Sequence, residues 1–204
     1  MISKITIASN NRLKCSELIS MFNEDLENII DFNNVKEQLN IEEFGITYEQ
    51  NALIKAQAWF NKLKTPIIAE DSGLEIEVLS NRPGIYSNNI VMGDDEYHCK
   101  WILYELKGKT NRKARFISSI CLVSDKGVII TKGELEGTIT QKSYGKHGFG
   151  YDSIFIPNGF DKTLAELDTS IKNRISHRKL AISKMCKIIN SYSIMESLVE
   201  GEIL

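Results

Sequence analysis

Two stretches of this chain hold residue types at spacings that suit chemistry on an anion. Gly145-Lys-His-Gly-Phe-Gly-Tyr-Asp152 sets one aromatic ring, Phe149, among glycines, and Lys172-Asn-Arg-Ile-Ser-His-Arg178 brings four cations into seven residues. A ring in a glycine-framed loop can stack on a flat base, and Asp152 can read its edge; a core phenylalanine in a glycine-rich bend is the plainer alternative. Ser176 predicts a helix N-cap, which puts His177 and Arg178 in a first turn with Lys172 and Arg174 just before it. Cations at that end oppose the helix macrodipole, so they favour a bound anion such as phosphate. Arginine adds bidentate phosphate contacts. Together the two stretches point to a nucleotide site.

Three segments nearer the N-terminus support that reading. Ser9, Asn10, Asn11, Arg12, Leu13 and Lys14 join a predicted strand to a predicted helix, where free backbone N–H groups bind anions. Arg12 and Lys14 fall in the first turn, a placement that costs about 0.3–1 kcal/mol per charge unless an anion reverses it. The pattern GxxxxGK is absent, so this is not a Walker A loop. Glu70-Asp71-Ser72-Gly73 places two carboxylates at the end of an apolar run, where α/β sites tend to form. Carboxylates with few other ligands suit Mg2+, which keeps several waters and takes phosphate oxygens; one of them can instead activate water. Glu42-Glu43 joins a metal site only if it folds back onto Asp71. On the helix after it, Asn51, Lys55 and Trp59 fall at i, i+4 and i+8, away from the expected apolar stripe, which leaves Lys55 either an ordinary exposed lysine, the better reading from spacing alone, or one pointed at phosphates.

The elements that position these residues alternate between strand and helix. Ile2–Ala8 alternates and predicts a strand, with a helix following to about Phe22. Asn28–Phe32 predicts a second strand. Thr47-Tyr-Glu-Gln50 fits a capping box, opening a helix with Leu53, Ala56, Phe60 and Leu63 on one face. Pro66–Ala69 and Leu74–Leu79 predict two strands, with Glu75 and Glu77 outward on the second. Asn81-Arg-Pro-Gly84 predicts a turn, and Asp94–Leu106 a helix. Arg115–Ser124 and Val128–Thr140 predict long strands joined at Asp125-Lys-Gly127. Ser176 caps the last clear helix, with Ala181, Met185 and Ile188 on its core face, and Ser191–Leu204 predicts one more short helix. Mixed strands and helices with no linker predict one domain over residues 1–204, of α/β class with a mixed sheet.

Composition excludes other classes. The 204 residues are enough for a proper core. Net charge is −2, without the basic stripe a nucleic-acid module needs. No apolar run approaches membrane-spanning length, and Met1–Ala8 is too short and too alternating for a signal peptide. Four scattered cysteines with no CxxC pair predict idle thiols in a reducing cytoplasm.

Taken together, ASNNRLK (8–14), EEFGITYEQNALIKA (42–56), AEDSGLEIEVL (69–79), RPGIYS (82–87), GFGYDSIFIP (148–157) and KTLAELDTSIKNRISHRKLA (162–181) resemble the inosine triphosphate pyrophosphatase family, and they occur in that family's order. The resemblance implies an elongated central mixed β-sheet flanked by helices in two lobes with a nucleotide cleft between them, a homodimer, and dependence on Mg2+. It implies hydrolysis of ITP, dITP and XTP to the monophosphate and pyrophosphate, removing deaminated purines from the nucleotide pool. By position, residues 9–14 would hold the polyphosphate, and Glu42 and Asp71 would place Mg2+, with Asp71 orienting or deprotonating the attacking water. Ser72 would contact substrate and Lys55 the phosphates. Phe149, Gly150, Tyr151 and Asp152 would stack on and frame the base, with Lys172, His177 and Arg178 completing recognition near the 6-keto edge. Three positions depart from the family pattern: Glu70 stands for the first of two aspartates, Asn88-Asn89 for Ala-Arg, and Ser170-Ile171 for an acidic pair. The related Maf type is the other enzymatic reading, against which the segment Ser176-His177-Arg178 argues.

Overall fold

The computed structural model describes residues 4–9, 11–26, 30–35, 39–87 and 93–201, with side chains described up to residue 191. Seven strands are described: β1 (Lys4–Ile7), β2 (Asp31–Asn34), β3 (Ile67–Ile76), β4 (Arg82–Pro83), β5 (Lys113–Ser124), β6 (Gly127–Ile139) and β7 (Phe155–Pro157). The helices are α1 (Arg12–Asp25), α2 (Tyr48–Leu63), α3 (Asp95–Glu105), α4 (Thr169–Ile175) and α5 (His177–Gly201). The strands form one mixed sheet in the order β2-β1-β3-β5-β6-β7, with β4 pairing β3. β2 and β3 run parallel to β1, whereas β4 is antiparallel to β3 and β7 to β6. This is the α/β class with a mixed sheet and flanking helices that the sequence predicts.

The chain divides into two compact units. The first comprises Met1–Asp71, Ser119–Lys132 and Arg178–Leu204, and the second Ser72–Ser118 and Gly133–His177. In the first, side-chain alternation along β3 and β5 buries both faces. Ile68, Ile120 and Leu122 pack with Ile5 and Ile7 of β1, Leu18 and Phe22 of α1, and Ile182 and Met185 of α5. Ile67, Ala69, Cys121 and Val123 pack on the other side with Ala52, Ala56 and Trp59 of α2. In the second unit, Leu74 and Ile76 of β3 pack with Ile102 of α3, Phe116, Ile154, Phe155 and Leu164. Gly137 is required here because a Cβ would meet the Ile156 carbonyl and the Phe155 ring as β7 closes on β6.

Several elements differ from the sequence reading. Pro66–Ala69 and Leu74–Leu79 are not two strands; β3 runs unbroken through Glu70-Asp71-Ser72-Gly73, all four buried. The buried face of α2 is Tyr48, Ala52, Ala56 and Trp59 with Asn51, rather than Leu53, Phe60 and Leu63. Two alanines let the helix lie close on the sheet, which leaves Leu53 and Phe60 at its flank and Leu63 exposed. α5 continues through the stretch predicted as a separate helix, and its core face is Ala181, Ile182, Met185, Cys186 and Ile189, with Ile188 only half-buried. The second strand is Asp31–Asn34; Asn28 lies outside the described residues. The hairpin turn is Asp125-Lys126, with Gly127 opening β6.

Candidate functional site

In the first unit, the site begins at the turn from β1 to α1. Asn11 caps α1, its Oδ1 accepting the Lys14 N–H at 3.0 Å, and the Ser9 hydroxyl accepts the Asn11 N–H at 3.2 Å. These two bonds fix the turn and satisfy two of the N–H groups at the helix start. Arg12 and Leu13 are exposed in the first turn, while Asn10 lies outside the described residues. Lys14 reaches down to β3, with Nζ 3.1 Å from Glu70 Oε2. The other oxygen of Glu70 lies 3.0 Å from Nε of Arg178, whose Nη1 is 3.4 Å from Glu17. Glu70 is therefore a wholly buried anion shared by cations from the first turns of α1 and α5. It offsets the unfavourable macrodipole placement that the sequence reading assigned to a bound phosphate alone.

Asp71 follows on the same strand and so faces the other way, toward α2. Its Oδ1 is 2.7 Å from Lys55 Nζ, and Lys55 is 2.9 Å from Glu43 Oε2. Asn51 Nδ2 donates to Asp71 Oδ2 at 3.4 Å, and Asn51 Oδ1 accepts the Gly45 N–H at 2.9 Å. The capping box sets this register: Thr47 Oγ accepts the Gln50 N–H, and Gln50 Oε1 accepts from Ile46 N–H, one residue before the cap. Burial lifts the Asp71 carboxyl above the ordinary aspartate range against the opposing pull of Lys55, and Glu43 adds to the rise. Burial pulls the Lys55 ammonium down, but the charges of Asp71 and Glu43 outweigh it and hold Lys55 above an ordinary lysine. The glutamate brought to this cluster is Glu43; Glu42 is exposed beside it. The sequence reading held Glu43, Asn51 and Glu70 within its candidate segments but gave none of them a role of its own. Asn51 sat in plain view, four residues before Lys55, on a face read as turned away from the core.

In the second unit, Asp152 organises the glycine-rich loop. Its Oδ2 accepts the Phe149 N–H at 3.0 Å and lies 2.8 Å from Lys172 Nζ, which also sits 5.0 Å from the Phe149 ring centroid. Gly148 has φ +80°, and a Cβ there would strike the Asp152 carboxylate. Phe149 and Gly150 are half-buried; Tyr151 and Asp152 are buried, and the Tyr151 hydroxyl donates to the Ser87 carbonyl at 2.6 Å. His177 is buried face-on against Phe116, with centroids 4.8 Å apart and planes at 12°. Ser72 is buried on β3. Lys172 and Arg174 do not precede the last helix as free-standing cations. They lie in the last turn of α4, the end at which the macrodipole favours them.

No group of three or more His, Cys, Asp or Glu side chains among the described residues forms a metal cage. Mg2+ takes one or two carboxylates and completes its shell with water and phosphate. The donors at Asp71 and Glu43 are hard carboxylate oxygens that converge on Lys55. The residues present fit the ion.

Fold and site define a class: an α/β protein with a buried, charge-paired carboxylate cluster on its central strand and a glycine-framed aromatic loop. The chain belongs to the Ham1 family, whose model matches residues 5–188. It is 42% identical over 195 residues to a protein of Campylobacter jejuni named dITP/XTP pyrophosphatase, covering 91% of this chain and 96% of that one. It is 35% identical over 199 residues to the protein of the same name from Aquifex aeolicus, covering 92% and 97%. Among solved structures, a HAM1 protein from Coxiella burnetii matches with a TM-score of 0.84 at 34% identity, covering 94% of this chain and all of that one.

Proposed function

We propose that this chain is a nucleoside triphosphate pyrophosphohydrolase that converts ITP, dITP and XTP to the monophosphate and pyrophosphate. The observation that carries this is the cluster of Asp71, Lys55 and Glu43, a buried carboxyl held above its ordinary range beside a lysine held charged. Such a carboxylate is matched to accepting a proton from water. The water oxygen attacks the α-phosphorus, the bond to the bridging oxygen of the β-phosphate breaks, and pyrophosphate leaves. Positioning and charge neutralisation do most of the work in such a transfer.

Residues 9–14 at the start of α1 hold the polyphosphate, with Lys14 and Lys55 as its cations. Asp71 with Glu42 or Glu43 would hold Mg2+. When bound, Mg2+ neutralises phosphate charge and orients the chain of phosphates. Phe149 stacks on the base, Gly150 and Tyr151 shape its surround, and Asp152 with Lys172 keeps the ring in place. Ser72, His177 and Arg178 contact the substrate, the last two supplying donors to a 6-keto oxygen. Against those donors an exocyclic amine would leave buried groups unmatched, at about 1–3 kcal/mol each. A cytoplasmic homodimer belongs to the same reading. All four cysteines are buried free thiols, as a reducing compartment allows, and among the described residues no helix is long and apolar enough to cross a membrane. Sedimentation velocity tests the dimer.

The deciding experiment is pyrophosphate release from ITP, XTP, GTP and ATP with Mg2+, run beside Asp71→Asn. Strong release from ITP and XTP, weak release from GTP and ATP, and loss in the variant are expected. Release of orthophosphate, or equal turnover of ATP, would overturn the reading.

A further inference from the structure

The aromatic loop is held from outside by an element with no role in the site described above. Asp95 and Cys99 lie at i and i+4 on α3, so they share one face roughly one turn apart. That face grips a single residue of the loop at both of its backbone groups. The Gly150 N–H donates to Asp95 Oδ2 at 2.6 Å, and the Cys99 thiol donates to the Gly150 carbonyl at 3.4 Å. Between them on the helix, the His98 ring lies along Tyr151, with centroids 6.3 Å apart and planes at 28°. Gly150 has φ +62°, a left-handed conformation that most side chains resist. The loop thus presents its N–H and carbonyl to the helix without a Cβ to dictate otherwise.

We propose that α3 is the positioning element for the base-stacking loop, with Asp95 its decisive residue. The proposal rests on the functional reading above, since it assigns Phe149 to the base. Phe149 precedes Gly150, so fixing the Gly150 peptide fixes the direction in which the ring leaves the backbone. Asp152 and Lys172 hold the loop from its other side. The contact to Asp95 is charge-assisted and stronger than the thiol contact. Asp95 touches no substrate; its effect is on how much ordering of the loop remains to be done when the base arrives. A preordered ring binds more tightly, and the chemistry at the phosphates is untouched.

The test compares pyrophosphate release from XTP and ITP by the wild type, Asp95→Ala, Asp95→Asn and Asp94→Ala, with amide hydrogen exchange across residues 149–151. Asp94 is the control: it caps α3 through the Tyr97 N–H and does not hold the loop. Asp95→Ala should raise KM about tenfold with kcat within about twofold, and speed exchange in the loop. Asp95→Asn keeps an acceptor and should recover most of the KM. Asp94→Ala should lower the melting temperature with KM and loop exchange unchanged. An unchanged KM in Asp95→Ala, or the same KM rise in Asp94→Ala, would overturn the proposal. If the wild type releases no pyrophosphate from either nucleotide, the functional reading fails instead. Exchange alone then decides the clamp: faster in Asp95→Ala than in Asp94→Ala supports it, and equal exchange rejects it.

Discussion

Replacing Lys172 by methionine tests how the aromatic loop is held. Lys172 Nζ lies 2.8 Å from Asp152 Oδ2, and the two side chains are only 7% and 8% exposed. At an effective dielectric of about 20, the gross attraction at that distance is about 6 kcal/mol, most of it offset by the desolvation of both groups. Methionine keeps most of the volume and removes the charge, leaving the Asp152 carboxylate buried opposite an apolar side chain. Breaking such a pair typically costs about 3–5 kcal/mol. The lower end, about 3 kcal/mol, is expected here because the Phe149 N–H still donates to Asp152. For a chain of this size that lowers the melting temperature by about 6–12 °C. Asp152→Asn removes the other charge, and the double variant should cost at least about 2 kcal/mol less than the sum of the singles. Urea unfolding of all four proteins, with a common m-value, gives the coupling energy. Additivity to within about 0.5 kcal/mol would refute the assignment of Asp152 and Lys172 as a mutually dependent buried pair.

Three further outcomes are expected. Asp71→Asn should abolish pyrophosphate release, and because it leaves Lys55 with Glu43 as its remaining carboxylate it should also lower the melting temperature of the metal-free protein. Burial raises the folded-state pKa of Asp71, so its own contribution to stability is present below the unfolded value and is lost as pH rises through the folded one; a stability difference between the metal-free wild type and the Asn variant that does not change with pH contradicts this. Glu70→Gln leaves Lys14 and Arg178 facing a neutral amide and should destabilise by about 3–5 kcal/mol. Added inorganic pyrophosphate should raise its melting temperature more than that of the wild type, and equal shifts would contradict the role given to Glu70. Gly148→Ala forces a side chain onto φ +80° and against the Asp152 carboxylate, so a loss of about 1–3 kcal/mol is expected by chemical denaturation.

The sequence made the strand–turn–helix at residues 9–14, the capping box at Thr47 and the hairpin at Asp125 legible, because each is a local contest between side chain and backbone. It misread the places where tertiary packing decides. Glu70-Asp71 looked like the end of a strand because acids rarely run through a buried one; β3 continues because each acid meets a cation from a different helix. The core face of α2 was drawn through its largest apolar residues, yet close packing on the sheet selected Ala52 and Ala56. α4 escaped notice because seven residues give too little periodicity to register, and with it went the favourable placement of Lys172. Asp95 carried no signal at all, since its partner is the backbone of a residue far along the chain.

The carboxylates that hold the cations of the first unit also mute them. Lys14, Lys55 and Arg178, with the exposed Arg12 beside them, stand against Glu17, Glu43, Glu70 and Asp71, four positive charges against four negative, for a balance of zero. A surface so neutralised casts little attractive field into solvent, so it does not draw in polyphosphates from a distance. Encounter rates should vary little with ionic strength, and nucleotides should be admitted in proportion to how often they collide. For an enzyme whose proposed substrates are rare among abundant ordinary nucleotides, that is an advantage. A naked cationic surface would be crowded by ATP; a quiet one stays open, and discrimination rests on how long each visitor remains.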